Sequence, residues 1–302
     1  MKTSRRDFLK TSSLTIIGSA VLKYKVFSSS IKGALTGIQL YSVRDKMKIN
    51  PLDTLKELSR MGYKYVEHAN YADRKFYGWN AMEFKKILDD LGLKMPSGHT
   101  VMRYDHWDAT KKDFTDAWKY TVEDAALCGQ EFVISPSIED KSRKNYDELL
   151  SFLNIFNKSG ELCKASGMKF GYHNHQFEFK ESLNGKILFD IILSETDPNL
   201  VIQQLDIGNM LNGGAHASDI LKKNPGRFLS MHVKDEIKSN DPREEEYIST
   251  ILGVGVVPVK QIIDLAKQQG TKHFIIEQES YQGKSSLDCA REDLTIMKKW
   301  GY

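Results

Sequence analysis

From residue 34 onward the chain repeats one theme: a short apolar run closing on a polar or ionisable residue, a loop, then an amphipathic helix, renewed roughly every 30 residues. Apolar runs at 37–41, 63–67, 93–98, 132–135, 168–175, 200–206, 228–233 and 273–277 read as strands. Helical spacing follows at 51–61, 79–91, 112–128, 146–166, 187–195, 218–223, 259–269 and 287–300. Gly62, Gly92, Gly129, Gly167 and Gly270 each fall where such a helix must stop, which calls for a residue tolerant of left-handed backbone. Eight strand-helix units without a Pro- or Ser-rich linker predict a single (β/α)8 (TIM) barrel over residues 34–302. An open doubly wound sheet would want a glycine-rich phosphate loop after its first strand, and Gln39-Leu40-Tyr41-Ser42-Val43 is not one.

The first 33 residues read as an address. Arg5-Arg6-Asp7-Phe8-Leu9-Lys10 carries the paired arginines of a bacterial twin-arginine signal, and an apolar stretch at 14–22 follows. Export to the periplasm is the expectation, with cleavage between residues 27 and 33. The apolar stretch is shorter than the about 20 residues that span a bilayer, and no other segment reaches that length.

Net charge is +3, but the first 33 residues hold seven basic groups and one acid, leaving a mildly acidic body. Such a body has no general affinity for phosphate backbones, so nucleic acid is not an expected partner. Cys128, Cys163 and Cys289 are widely spaced in helical patterns and form no CxxC pair. They read as buried packing residues, not as a disulfide framework or a thiolate zinc site.

In a barrel of this kind the strand ends converge on one face. Here they carry Tyr41, Glu67, His99, Ser135, His173 with His175, Asp206, His232 with Lys234, and Glu277 with Glu279. A carboxylate closing a buried apolar strand, as in Phe274-Ile275-Ile276-Glu277, needs a partner, and a divalent cation supplies one. His173, Asp206, His232 and Glu277 form the expected ligand set. Imidazole with carboxylate suits Mn, Co or Zn (or Fe) better than Mg or Ca. Taken alone, His99 reads as a hydrogen-bonded or exposed histidine, and Asp206 also reads as a helix cap. His68, His106, His216 and His273 fall at loop or strand-start positions and carry no site expectation. The charged stretch 235–246 reads as a loop over the barrel mouth.

At these residues the sequence resembles the sugar phosphate isomerase/epimerase family, the xylose isomerase-like barrels that also include inosose dehydratases and endonuclease IV. The resemblance spans nearly the whole body. It is carried by Gly37-Ile38-Gln39-Leu40-Tyr41-Ser42-Val43-Arg44, Gly171-Tyr172-His173-Asn174-His175 and Leu205-Asp206-Ile207-Gly208-Asn209, with Met231-His232-Val233-Lys234-Asp235 and Ile275-Ile276-Glu277. It implies one divalent metal held by Glu, Asp, His and Glu from strands five to eight, which fall here on His173, Asp206, His232 and Glu277. The first position departs. His173-Asn174-His175 stands where epimerases of the family read Glu-Asn-His, so one of their two proton-exchanging carboxylates is missing.

The expected chemistry is proton removal beside a carbonyl through an enediolate. Glu277, Glu67, Glu279 and Lys234 are the candidate bases, and His175 can assist. The first expectation is a sugar isomerase or epimerase acting on a ketose or keto-sugar. The alternative is a lyase or hydratase of a keto-glycoside or keto-sugar, favoured by the lost carboxylate and the export signal. An endonuclease IV-like phosphodiesterase would want a carboxylate and a histidine where Ser135 and Asn209 stand. A non-catalytic carbohydrate-binding barrel would keep Tyr41, Trp79 and Trp107 as stacking surfaces. Arg44, Arg103, Lys234 and Arg243 are the basic groups expected near the mouth; as substrate-phosphate ligands they compete with the reading of ordinary solvated charge.

Overall fold

The computed structural model describes residues 34–302; the expected twin-arginine signal falls outside the described residues. Strands β1 (Leu35–Gln39), β2 (Tyr65–His68), β3 (Lys94–His99), β4 (Phe132–Ser135), β5 (Lys169–His173), β6 (Val201–Asp206), β7 (Phe228–Val233) and β8 (His273–Ile276) close into one barrel. Every neighbouring pair is parallel, and β1 closes on β8 from Leu35↔His273 to Ile38↔Ile276. Around it run α1 (Pro51–Met61), α2 (Ala81–Asp90), α3 (Asp116–Leu127), α4 (Tyr146–Ala165), α5 (Leu188–Glu195), α6 (Ala217–Lys223), α7 (Val259–Gln268) and α8 (Ser286–Lys299). The predicted barrel is therefore the observed one. The five predicted helix stops are all left-handed, with φ of 103° at Gly62, 67° at Gly92, 80° at Gly129, 78° at Gly167 and 99° at Gly270. None of the helices among the described residues is long and apolar enough to cross a membrane. All three cysteines are free and buried, as their surroundings predict.

Three differences from the sequence reading have local causes. β1 ends at Gln39 because its side chain accepts the Tyr41 N–H at 3.2 Å and turns the chain into a 3-10 segment, Leu40–Val43. β5 ends at His173 because the Asn174 side chain takes over the pairing with β6, donating to Asp206 O at 3.1 Å and accepting from Asp206 N at 3.0 Å. The expected loop at 235–246 instead opens as a hairpin, Asp235–Lys238 against Tyr247–Thr250. Its root is fixed by the buried Asp235 carboxylate, which accepts N–H groups from Gly253, Gly255 and Val257 at 2.8–3.0 Å.

The barrel interior is layered. Its lower layer is apolar and tight: a Cβ on Gly171 would meet Ile134 and Ile202 at 3.0 Å. Above lies a polar layer, Gln39, Glu67, Ser97, Gln204 and Ser230, all fully buried. The register sets it directly, pairing Gln39 with Glu67, Glu67 with Ser97 and Gln204 with Ser230. The β6–β7 register shifts between Gln203 and Gln204, a bulge of the kind that re-aims a side chain next to a site.

One buried acid away from the site gives a stability prediction. Asp293 on α8 is buried and accepts the Leu252 N–H at 2.9 Å, and burial pushes its carboxyl up to about 7. The folded state then holds a proton that the unfolded chain releases near 3.8, so the stability present below that pH is lost as pH rises through 7. Asp293→Asn is expected to flatten this fall, which amounts to about 4 kcal/mol at most in full and about 3 kcal/mol between pH 5 and pH 8. Denaturant midpoints at pH 5 and pH 8 measure it, and an unchanged difference between them would exclude Asp293 as its source.

Candidate metal centre and active site

Above the polar layer, β5 to β8 present His173, Asp206, His232 and Glu277, with Asp206 and His232 facing each other in register. The rigid strand ends fix these groups before any ligand arrives. Candidate donor atoms of Asp206, His232 and Glu277 lie within 4.8 Å of one another. His232 Nδ1 is 3.1 Å from Glu277 Oε2 and 3.6 Å from Asp206 Oδ2. His173 joins less closely, its Nε2 being 4.0 Å from Asp206 Oδ2.

His173 also belongs to a second group, with His99 and His232, that the sequence does not announce. Hydrogen bonding separates the two groups. His99 Nε2 and His173 Nδ1 both face Gln204 Oε1, at 2.6 and 3.1 Å, while His232 Nε2 faces Glu67 Oε1 at 2.7 Å. These nitrogens are committed to protein acceptors. Asp206 Oδ2, in contrast, is buried without a hydrogen bond among the described residues, its nearest charge being the Lys234 ammonium at 3.3 Å.

Asp206 meets both of its sequence readings with different oxygens. Oδ1 caps the following short helix, accepting the Asn209 N–H at 2.7 Å, and Oδ2 is left for the site. Gly208 is required here by space, since a Cβ would stand 2.5 Å from Lys234 Cδ and 2.3 Å from Glu236 Oε1.

Lys234 lies fully buried among carboxylates, with Nζ 2.6 Å from Glu279 Oε1, 3.0 Å from Glu277 Oε2 and 3.3 Å from Asp206 Oδ2. Burial disfavours its charge, but the carboxylates of Asp206, Glu277 and Glu279 outweigh burial and hold the ammonium well above its ordinary pKa. Glu277 is the mirror case: burial raises it, and Lys234 and His232 hold it well below the usual carboxylate range. The carboxylates of Glu67, Asp206, Glu277 and Glu279 outnumber this one ammonium, leaving buried negative charge for a cation or the His232 ring to balance. The orphaned oxygen, the mixed imidazole and carboxylate donors and this excess charge all fit a divalent transition ion.

Glu67 sits below this level and is fully buried. It accepts from Gln39 at 2.8 Å, from Gln204 at 2.9 Å, from His232 and from Ser97. Burial raises it, yet the charges on His99 and His232 with these bonds bring it down to about 2. His175 stands beyond β5 on the wall of a cavity of about 860 Å³ that opens over the site. Burial lowers its ring to about 4, so it is neutral at pH 7. His99, His173, Glu277 and Glu279 line the same cavity, and Tyr41 stands at its mouth with its ring 4.5 Å from the Arg44 guanidinium. Trp79 and Trp107 do not line this cavity. They pack on Phe84 and Phe114 instead.

The cluster of histidines and acids lies at the C-terminal mouth of a parallel (β/α)8 barrel, the face on which enzymes of this fold carry their active sites. The profile of the xylose isomerase-like TIM barrel family matches residues 55–300, and the chain belongs to that family. It is 33% identical over 192 residues to an inosose dehydratase of Clostridium botulinum, covering 60% of this chain and 62% of that protein. A Clostridium beijerinckii inosose dehydratase is 25% identical over 265 residues, 82% of this chain and 84% of its own length. Among solved structures, a sugar phosphate isomerase/epimerase from Parabacteroides distasonis superposes with a TM-score of 0.75 at 25% identity, covering 89% of this chain and 96% of that one.

Proposed function

We propose that the chain is a divalent-metal-dependent carbon–oxygen lyase, a dehydratase in the broad sense, acting on a neutral keto-polyol, keto-sugar or keto-glycoside. The observation that carries this reading is the one-sided distribution of bases. Glu277 and Glu279 are both tied to Lys234, while the His99, His173 and His175 rings also line the cavity, with His173 where a second carboxylate is expected. Epimerisation with two carboxylate bases wants one on each face of the carbon; elimination needs one carboxylate used twice.

Asp206, His232 and Glu277, with His173, would hold a divalent cation, which would supply Lewis-acid stabilisation of negative charge on the substrate. Glu279 is the base. Its Oε1 takes the Lys234 bond and its Oε2 is left for substrate, on a side chain 41% exposed. The carboxylate removes the proton beside the carbonyl, and the electron pair moves into the enediolate. As the carbonyl reforms, the neighbouring C–O bond breaks and Glu279 returns its proton to the departing oxygen. Neutral His175 orients the hydroxyls, and Glu67 holds His232.

A neutral substrate follows from the cations near the mouth. Arg44 is committed to Tyr281 Oη, Tyr41 O and Glu279 O, Arg74 to Asp124, Arg243 to Asp241 and Lys234 to its carboxylates. Arg103 is the one cavity-lining arginine without an ion pair among the described residues, and a phosphate subsite would have to be built on it. The twin-arginine export expected from residues 1–33 agrees with a substrate met outside the cytoplasm.

Isomerisation from the same enediolate is the second reading, favoured by the likeness to the Parabacteroides distasonis protein. Incubation of the metal-loaded enzyme with keto-sugars and keto-glycosides in D2O, followed by NMR, separates the two. Loss of water or of the aglycone with formation of an unsaturated ketone is expected. Deuterium at the carbon with the C–O bond intact would overturn the lyase reading in favour of the isomerase.

Tyr41 gives a binding prediction at the same mouth. Its ring is 43% exposed and braced by Arg44, so it offers a face to a sugar. Tyr41→Ala is expected to raise KM about 3- to 10-fold with kcat little changed, as loss of one ring contact implies. A fall in kcat with KM constant would instead place Tyr41 in the chemistry.

A further inference from the structure

We propose that Gln204, with Glu67, is a positioning residue that fixes the ring tautomers of His173 and His232, so that His173 Nε2 and His232 Nδ1 carry the lone pairs offered to the cation. The inference rests on the metal reading above and extends it to the layer beneath.

A carboxylate presents lone pairs however it is turned, whereas a neutral imidazole presents one only on its unprotonated nitrogen. A histidine in a place where the family resemblance implies a glutamate therefore needs something that decides which nitrogen keeps the hydrogen. Gln204 is built to do this. Its Nε2 donates to Glu67 Oε2 and to Ser230 Oγ, both at 2.9 Å. The reverse orientation would set the amide oxygen against the Glu67 carboxylate, so the amide is locked. Its Oε1, which can only accept, then lies 3.1 Å from His173 Nδ1 and 2.6 Å from His99 Nε2. Both nitrogens must carry hydrogen. For His173 this leaves the lone pair on Nε2, the nitrogen facing the orphaned Asp206 Oδ2 at 4.0 Å.

Glu67 acts on the other ring. Its Oε1, held by Gln39, accepts from His232 Nε2 at 2.7 Å, so that nitrogen keeps its hydrogen; Nδ1 donates to Glu277 Oε2 at 3.1 Å, 3.6 Å from Asp206 Oδ2, and is the nitrogen whose proton a cation at that point would displace. Acceptors below hold one hydrogen on each ring, on Nδ1 of His173 and on Nε2 of His232, so the nitrogens turned toward a common point above are of opposite type. The bulge at Gln203/Gln204 aims the deciding side chain.

The test uses the full chain labelled with 15N-histidine, with zinc as the probe. Long-range 1H–15N correlation is expected to show His173 protonated at Nδ1 with or without zinc, and His232 protonated at Nε2 when zinc is bound. Gln204→Met keeps the shape and removes the acceptor. It is expected to weaken zinc binding about 10- to 100-fold in chelator competition with little change in Tm. The double exchange Glu67→Gln with Gln204→Glu keeps an acceptor against each ring and is expected to restore binding. His173 protonated at Nε2, or a Gln204→Met chain that binds zinc like the wild type, overturns the proposal. A wild-type chain with His173 protonated at Nδ1 but no zinc uptake supports the tautomer assignment and overturns the metal reading instead.

Discussion

His232→Ala is expected to strip the purified protein of its metal and to lower kcat/KM by at least about 10³-fold, the scale set by losing several kcal/mol of Lewis-acid stabilisation. Among the described residues no other side chain bonds both Glu67 and Glu277. Its two nitrogens connect Glu67 below with Asp206 and Glu277 above, and the ring is fully buried between them. Truncation leaves these carboxylates without the imidazole, so a loss of stability is expected alongside. Elemental analysis of chains expressed in metal-supplemented medium, with circular dichroism to confirm folding, reads the result. The same loss should follow chelator treatment of the wild-type chain and be reversed by adding Mn, Co or Zn. Full activity in a folded His232→Ala protein would remove the metal centre from the mechanism.

Glu279→Gln should separate chemistry from metal binding. The side chain reaches the cavity wall and bonds Lys234 but is not one of the expected ligands. Its amide cannot take a proton from carbon, so kcat is expected to fall about 10²- to 10⁴-fold with metal content unchanged. Glu277→Gln, by contrast, should lose metal and activity together. If Glu279→Gln stays active and Glu277→Gln keeps its metal but not its turnover, the base is Glu277 and the one-carboxylate elimination has to be redrawn around it.

The barrel was legible because its helix-stop glycines and apolar runs recur in phase, and both patterns are local. The same holds for Asp206, His232 and Glu277, where an ionisable residue closing an apolar strand is visible without knowing its neighbours. His99 is different. Its place beside His173 and His232 depends on contacts between strands distant in sequence, and alone it looks like any histidine at a strand end. Gln204 is harder still, because it is uncharged, sits inside a strand and is aimed by a bulge that no residue type marks. The hairpin at Asp235 was hidden for another reason. Its stretch is dominated by charged residues, and only the backbone bonds from Gly253, Gly255 and Val257 reveal that Asp235 faces inward. For Glu67 the residue was visible and its depth was not; its ligands come from Gln39, Ser97, Gln204 and His232 on four other strands.

The locked amide of Gln204 makes the site resistant to single-step change. A glutamate installed at position 173 to rebuild a two-carboxylate enzyme would set an acid against an oxygen that only accepts. Rotating the amide to welcome it would turn that same oxygen on Glu67. Conversion from one chemistry to the other therefore has to pass through paired substitutions at 173 and 204, and an engineered or natural switch of reaction type should show both changes together.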